Sequence, residues 1–402
     1  MNAVAAVKPV VFNPLDPALI EDPYPIYAAL RAAEPVHHSP LGIVVVTGRA
    51  QVEALLMHPA LTSDVSRLDP SRFPFVAGQS PFFREIQPKM LLGLDGLDHK
   101  RLRRLLVKAF TPKSVARIAD SIAALVDDLL PPSGGRFDFM ESFARPLPAV
   151  VICELLGIPE ADRPACVELS NQIAALFDLF PDPAKAAAGD AALREFAAYM
   201  TALVDHRRAH PEDALLDDFI AASEDDDSLT NEEVVINASL LFGAGHETTT
   251  NLLGNGMLAL LRTPSQMALL AARPELAANA VSEMLRYDSA VQMVPRFTTE
   301  EVEIGGVVIE PEVPVALILG AANRDPAFYS EPDRFDIERE NPRPLSFGKG
   351  AHFCIGAALA RLEGELAFAA IARRAETIRI AEPPRHRRHA NFRGLEALVL
   401  EG

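Results

Sequence analysis

Ser346-Phe347-Gly348-Lys349-Gly350-Ala351-His352-Phe353-Cys354-Ile355-Gly356 is the stretch on which the reading of this chain turns, and it runs directly into the helical pattern Ala357 to Arg374. A cysteine at a helix start meets the positive end of the helix dipole and unpaired backbone N–H groups, and both favour thiolate over thiol. Gly348, Gly350 and Gly356 let the backbone turn tightly and come close to the sulfur and to a flat cofactor. A thiolate placed in this way can ligate haem iron, where it pushes electron density onto the metal and favours O–O cleavage. Taken alone, a buried cysteine after a glycine-rich turn is more often an inert core thiol.

Upstream, Thr230 to about Arg262 reads as one helix, opened by Thr230 and Glu233 in capping-box spacing and stopped by Thr263-Pro264. At 1.5 Å per residue it is roughly 50 Å long, and a helix so long and so apolar must cross the middle of the core. Gly243 and Gly245 interrupt it just before His246, Glu247 and three threonines. Each glycine costs about 1 kcal/mol relative to alanine, so a local defect in a buried helix marks a site.

The rest of the chain is Ala/Leu-rich helix broken by proline, with strand-like runs at Gly42 to Thr47, Val302 to Glu310, Val313 to Leu319 and near the C-terminus. Turn signals are short and no long linker divides the 402 residues, so one large, mainly α domain with small β-hairpins is predicted. A net charge of −17 repels phosphate backbones and argues against a nucleic-acid partner. The N-terminal apolar run is broken by Lys8, Pro9 and Pro14, and no stretch approaches the ~20 apolar residues of a membrane span, which predicts a cytoplasmic protein with no membrane partner. Cys153, Cys166 and Cys354 are scattered and odd in number, which suits a reducing compartment and not a disulfide framework. There is no Gly-x-Ser-x-Gly elbow and no Walker loop, and Phe353 stands where a dinucleotide fingerprint needs its third glycine. Nicotinamide and flavin are therefore not expected on this chain, and electrons must come from outside.

The cysteine stretch resembles the haem-binding signature of the cytochrome P-450 family, Phe-x-x-Gly-x-x-x-Cys-x-Gly, matched at Phe347, Gly350, Cys354 and Gly356. The resemblance extends from about Asp22-Pro23-Tyr24-Pro25 to Arg393-Gly394-Leu395, nearly the whole chain. It implies a single domain over residues 1–402, with 1–20 an extended N-terminal segment and haem b between the long central helix and the Cys354 loop. Phe347, Gly348, Gly356, Ala244 and Gly245 would border the haem. His99 and Arg103, one helical turn apart, would bind its propionates together with Arg296 and His352. In Glu283-x-x-Arg286, i,i+3 spacing puts acid and base side by side. Pro332-Asp333-Arg334-Phe335 resembles a further family segment that would bring Arg334 to the same carboxylate and fix the layer beneath the haem.

Ala244-Gly245-His246-Glu247-Thr248-Thr249 resembles the family's oxygen-activating motif, in which an alcohol, here Thr248, and an acid, here Glu247, deliver protons during dioxygen activation. A mid-helix threonine also commonly bonds its own i−4 carbonyl, and the two roles are compatible. The implied activity is insertion of one oxygen atom from O2 into a C–H bond or alkene of an apolar small molecule, by hydroxylation or epoxidation. A ferredoxin or flavodoxin would supply the electrons. Peroxide-driven members carry Arg and Pro where Glu247 and Thr248 stand, and a haem-based sensor would need an output domain for which no residues remain. Phe75, Phe82, Leu240, Gly243, Ala244, Gln292, Met293 and Val294 are the predicted substrate-pocket residues. Between His99 and Arg117 the chain has seven cations and no acid, and Lys100, Arg104 and Lys108 recur every four residues as a predicted docking stripe for the electron donor. The protein is expected to be a monomer, and fatty acids, terpenoids, steroids and polyketides all stay open as substrates.

Overall fold

The computed structural model describes residues 11–67, 80–110, 112–131, 134–178, 182–212, 214–222, 229–374 and 378–402. Its centre is the helix Asn231–Arg262, 32 residues long. The capping box that starts it is formed: Glu233 N–H donates to Thr230 Oγ1 at 3.1 Å and Thr230 N–H donates to Glu233 Oε2 at 2.8 Å. The helices Pro146–Leu155, Pro183–Ala209, Ala277–Tyr287 and Ala357–Ala372 pack around it, which is why it can be apolar on almost every face.

The strands do more than form local hairpins. Five of them join in one mixed sheet, in the order Val36–His38, Val44–Val46, Pro314–Ile318, Met293–Thr298, Leu61–Thr62. Val44, Val45 and Val46 run parallel to Val315, Ala316 and Leu317, and all six are buried because both faces of the sheet are covered. Local hairpins are also present, as the sequence pattern predicts: Val302–Ile304 pairs with Val307–Ile309, and Arg385–His386 with Leu395–Ala397 near the C-terminus. Pairings across some 270 residues leave no mark in a short window, which is why the sheet was not anticipated. The stretch expected to be extended at the N-terminus contains a short helix, Pro17–Glu21, with Pro17 at its first position and Asp16 Oδ1 accepting from Ala18 N–H at 2.9 Å. No described helix is long and apolar enough to cross a membrane.

Beneath the centre lies a buried ion-pair knot. Arg286 donates from Nε to Glu283 Oε2 at 2.6 Å and from Nη2 to Glu283 Oε1 at 2.7 Å, with both side chains fully buried. Its other donors reach the carbonyls of Asn323, Pro332 and Arg334 at 3.1, 2.7 and 3.0 Å. The third member of the knot is Arg339, whose Nε donates to Glu283 Oε1 at 3.2 Å. This corrects the expectation for Arg334: its side chain turns to Glu331 and Asp336 at the surface, and only its carbonyl joins the knot. Glu283→Ala would leave the Arg286 cation buried and uncompensated, a loss of about 3–5 kcal/mol. Urea unfolding should show a loss of that size, and a loss below about 1 kcal/mol would mean that the carbonyls alone satisfy Arg286.

Candidate active site

The Cys354 loop is built by two turns and two anchors. Gly348 and Gly350 take φ of +69° and +72°, a region that side-chain-bearing residues rarely adopt. Cys354 N–H donates to Phe347 O at 2.9 Å and closes the loop. Ser346 Oγ donates to Leu285 O at 2.5 Å, and Asn323 Oδ1 accepts from Leu345 N–H at 2.7 Å, so the loop hangs from the helix that carries Glu283 and from a segment that Arg286 holds. Phe347 lies half-buried beneath the Arg361 guanidinium, 5.1 Å from its ring centre. Gly356 has an ordinary φ of −86°, and a Cβ added there would meet no protein atom within 4 Å.

Cys354 is exposed by surface area, yet burial is the largest influence on its acidity; a side chain of this kind lines an internal cavity. Burial pushes the thiol up, while the Gly356 N–H and the Arg103 cation pull it down. The net direction is upward, so the helix start alone does not make a thiolate here. A metal that coordinates sulfur would deprotonate it outright.

Around the sulfur stands a set of cationic and imidazole donors. Arg103 Nη2 donates to Phe353 O at 2.6 Å. The rings of His99 and His352 lie 4.3 Å apart, and His352 Nε2 is 2.9 Å from Asp95 Oδ1. Arg296 is buried, and its Nη1 donates to the neighbouring Pro295 O at 2.8 Å. Burial pushes that guanidinium down to about 10, with Asp95 acting in the opposite direction. Burial, then His352 and Arg103, push His99 down to about 4, and its buried Nε2 has no hydrogen-bond partner among the described residues. Asp95 accepts from Thr62 Oγ1 at 2.6 Å and from Ser63 N–H at 2.7 Å, and these bonds with His352 outweigh its burial and hold it below the usual carboxylate range. Two nearby cations, an orphaned imidazole nitrogen and one fully engaged carboxylate form a site short of anionic acceptors. A cofactor bearing carboxylates beside a thiol-ligated metal fits this donor set.

The central helix carries a narrow window of incomplete burial. Between Val234 and Leu260 every residue is buried except Ala244, Gly245 and Thr248. The helix remains helical there, so the predicted defect takes the form of local exposure and not of a break. Thr248 Oγ1 donates to Ala244 O at 2.8 Å, which leaves its lone pairs available. Glu247 points the other way: its buried carboxylate pairs with Arg387 and accepts from Asn251 Nδ2 at 3.0 Å. Burial pushes Glu247 up, but Arg387, with His246 and Asn251, holds it below the usual carboxylate range. His246 is buried against Ser170 Oγ at 3.2 Å and pushed down by that burial.

The predicted pocket residues divide. Leu240 is buried, and a Cβ at Gly243 would touch Phe177 and Ile173 at 3.5 and 3.6 Å. Phe83 meets Phe177 edge-to-face at 5.7 Å, whereas the Phe82 ring lies beneath the Arg194 guanidinium at 4.0 Å. Phe177 is therefore the aromatic beside Gly243, with Phe83 packed against its far side, whereas Phe82 turns to Arg194; Phe75 lies outside the described residues. Val294 shares a sheet face with Arg296, while the pleat sends Met293 to the opposite face, among Tyr24, Tyr27 and Ile318. Gln292 spends its amide on Tyr24 OH at 3.2 Å and Ser289 O at 2.8 Å. Sequence reasoning missed Asp95, Asn251, Arg339 and Arg387. Of these only Arg387 carried a signal, the basic run Arg385-His386-Arg387-Arg388 in an acidic chain.

A thiol at the end of a glycine-turned loop with cationic donors around it, in a fold whose buried central helix carries a small-residue window, suits a haem-thiolate type of site. The sequence profile described as Cytochrome P450 matches residues 51–272 and 266–378. The chain is 40% identical over 357 residues to a Vitamin D(3) 25-hydroxylase of Pseudonocardia autotrophica, covering 87% of this chain and 85% of that one. It is 39% identical over 374 residues to the cytochrome P450 monooxygenase PikC of Streptomyces venezuelae, covering 90% and 86%. The crystal structure of CalO2 superposes with a TM-score of 0.90 at 34% identity over 98% of this chain and 99% of that one. The chain belongs to the cytochrome P450 family. It is a haem b monooxygenase that takes O2, an organic substrate and electrons from a separate redox partner.

With Arg296 as a donor to a cofactor carboxylate, Arg296→Met would remove a charge-assisted bond of about 1.5–3 kcal/mol, which corresponds to haem loss faster by roughly 10- to 100-fold. Transfer of haem to apomyoglobin measures this rate, and a wild-type rate would show that Arg296 does not hold the cofactor.

Proposed function

We propose that Cys354 ligates the haem iron, that His99, Arg103, Arg296 and His352 hold the propionates, and that Thr248 and Glu247 handle protons for hydroxylation of an apolar substrate. The observation that carries this reading is the window in the central helix: the only interior positions not buried are Ala244, Gly245 and Thr248. When bound, haem supplies the reductive activation of O2 and the transfer of one oxygen atom to the substrate. The protein's own groups do the rest. Cys354 contributes a thiolate whose charge the Gly356 N–H and Arg103 moderate. Arg103 and Arg296 neutralise propionate charge that would be costly to bury alone. Leu240, Gly243, Phe83, Phe177 and Val294 give the substrate apolar walls that keep bulk water out, consistent with a relative named for hydroxylating vitamin D(3).

Thr248 accepts a hydrogen bond readily as it stands, and donates one only by giving up Ala244 O. Glu247, one residue earlier in the helix, supplies the replacement proton from the other side. For Thr248→Ala, haem binding and the substrate-induced spectral shift should persist while product per NADPH falls by about 10-fold or more, with peroxide or water taking the balance. Unchanged coupling would assign the role to another hydroxyl such as Thr249.

The electron donor is assigned to the helix Gly96–Ala109, whose Arg103 touches the carbonyl next to Cys354. Lys100 and Arg104 are exposed on it, and so is Phe353, whose carbonyl Arg103 bonds; the side chain of Lys108 lies outside the described residues. An acidic ferredoxin is the partner this charge fits. Lys100→Glu with Arg104→Glu should slow reduction by a ferredoxin and flatten its dependence on ionic strength, while the spectrum of the bound haem stays unchanged. Reduction at the wild-type rate in low salt would place the donor elsewhere.

A further inference from the structure

The helix Pro81–Ile86 has six residues, too few to persist on its own hydrogen bonds, so its place and its roll come from contacts outside it. Ser80 caps it, accepting from Phe83 N–H at 3.1 Å. The same hydroxyl donates to Asp190 Oδ1 on the helix Pro183–Ala209. The other oxygen of Asp190 accepts from Arg194 Nε at 3.2 Å, and the Arg194 guanidinium lies 4.0 Å from the centre of the Phe82 ring. One carboxylate thus holds both the start of the short helix and the cation that covers Phe82. It is largely shielded from water, its side chain being 17% exposed.

On its inner side the short helix makes a second contact. Phe83 is buried and packs edge-to-face on Phe177 at 5.7 Å. Phe177 ends the turn Ala174–Phe177, and its carbonyl accepts from Asn391 Nδ2 at 2.9 Å. That turn is pressed against the residue before Asp190: a Cβ at Gly189 would fall 2.8 Å from Gln172 O and 3.0 Å from Leu176 Cγ, so the approach needs glycine. The contacts form a closed ring, from Asp190 through Ser80 and the short helix to Phe83, across to Phe177, and back through Leu176 and Gly189. Phe82 and Phe83 point about 100° apart on the short helix, so holding one beneath Arg194 sets the angle at which the other meets Phe177. Phe177 in turn is the ring that a Cβ at Gly243 would touch.

We propose that Asp190 is a specificity-determining positioning residue: it touches no substrate, yet its carboxylate sets the roll of the helix Pro81–Ile86 and, through Phe83, fixes the Phe177 ring that limits how wide a substrate can be. The inference rests on the reading that Phe177 walls the substrate cavity. Without the carboxylate, the buried Ser80 hydroxyl loses its acceptor and Arg194 loses the anchor that keeps it over Phe82. The short helix is then free to turn, Phe83 slides off Phe177, and Phe177 can tilt away from Gly243. A wall held in place rejects a ligand it cannot accommodate, whereas a yielding wall repacks around it. Loss of Asp190 therefore favours broad ligands and does little for narrow ones.

The test uses the haem-loaded full chain and two probes that ligate haem iron and differ in width, an n-octylimidazole and an adamantyl-substituted imidazole. Their dissociation constants are read from the Soret shift, and the ratio of the two is the preference. In Asp190→Ala the adamantyl probe should gain on the octyl probe by about 5-fold. Ser80→Ala, which breaks the same bond from the other side, should shift the preference in the same direction, and Phe177→Ala should shift it at least as far. Glu195→Ala, which removes an exposed acid from the same helix, should keep the wild-type preference. Because Asp190 acts through Phe177, adding Asp190→Ala to Phe177→Ala should change nothing further. Three results overturn the inference and leave Phe177 as the wall: additive shifts in the double variant, a shift in Glu195→Ala as large as that in Asp190→Ala, or a wild-type preference in Asp190→Ala and Ser80→Ala beside a shifted Phe177→Ala. A wild-type preference in Phe177→Ala overturns the wall itself and the inference with it.

Discussion

Among the described residues, Arg286 is the largest side chain wholly removed from water. A buried guanidinium is tolerable only if all five of its N–H donors are met, and each one is. Two go to the carboxylate of Glu283 and three to main-chain carbonyls between Asn323 and Arg334. Those carbonyls belong to an irregular segment with little secondary structure of its own, so the cation acts as its template. Asn323, fixed in this way, receives the Leu345 N–H and donates to Ser346 Oγ at 2.9 Å, and the Cys354 loop begins there. The position of the sulfur thus depends on an ion pair that never touches it.

The second organising constraint is electrostatic. A chain of net charge −17 has gathered Arg103, Arg296, His99 and His352 around a cavity whose only paired acid is Asp95, among the described residues. Placing uncompensated cations in a core is unfavourable by itself. It becomes favourable when a cofactor carrying carboxylates completes the charge, so binding of the group and stability of the fold are coupled. The opposite side of the central helix solves the same problem internally, with Arg387 against Glu247 and Arg393 against Asp288 at 2.8 Å. Arg393 and Tyr24, which also bonds Asp288, tie the two ends of the chain together over the sheet.

What the sequence revealed and what it hid follow from the range of each interaction. The cysteine loop, the capped central helix and the Glu283–Arg286 pair are local patterns, in which neighbours a few residues apart determine one another. The errors are errors of rotation, parity or path. Phe82 and Phe83 differ by about 100° around a helix, and only tertiary packing decides that Phe83 meets Phe177 while Phe82 turns to Arg194. Met293 and Val294 differ by one step of the pleat, and the register with Ile318 and Leu317 decides which faces Arg296. Arg339 displaced Arg334 at Glu283 because the loop path is set by carbonyl contacts that no spacing rule encodes. Arg387 was out of reach of any motif, being 140 residues from Glu247 in the chain.

The central claim is that Cys354 supplies the thiolate on which the haem chemistry depends, and the most direct measurement is the reduced-CO difference spectrum of Cys354→Ser. An alcohol is a harder and far weaker donor to iron than a thiolate, so the thiolate-type Soret band of the wild type should be lost even in protein that still retains haem. Survival of that band in the serine variant would contradict the account, because the ligand would then have to be some other side chain.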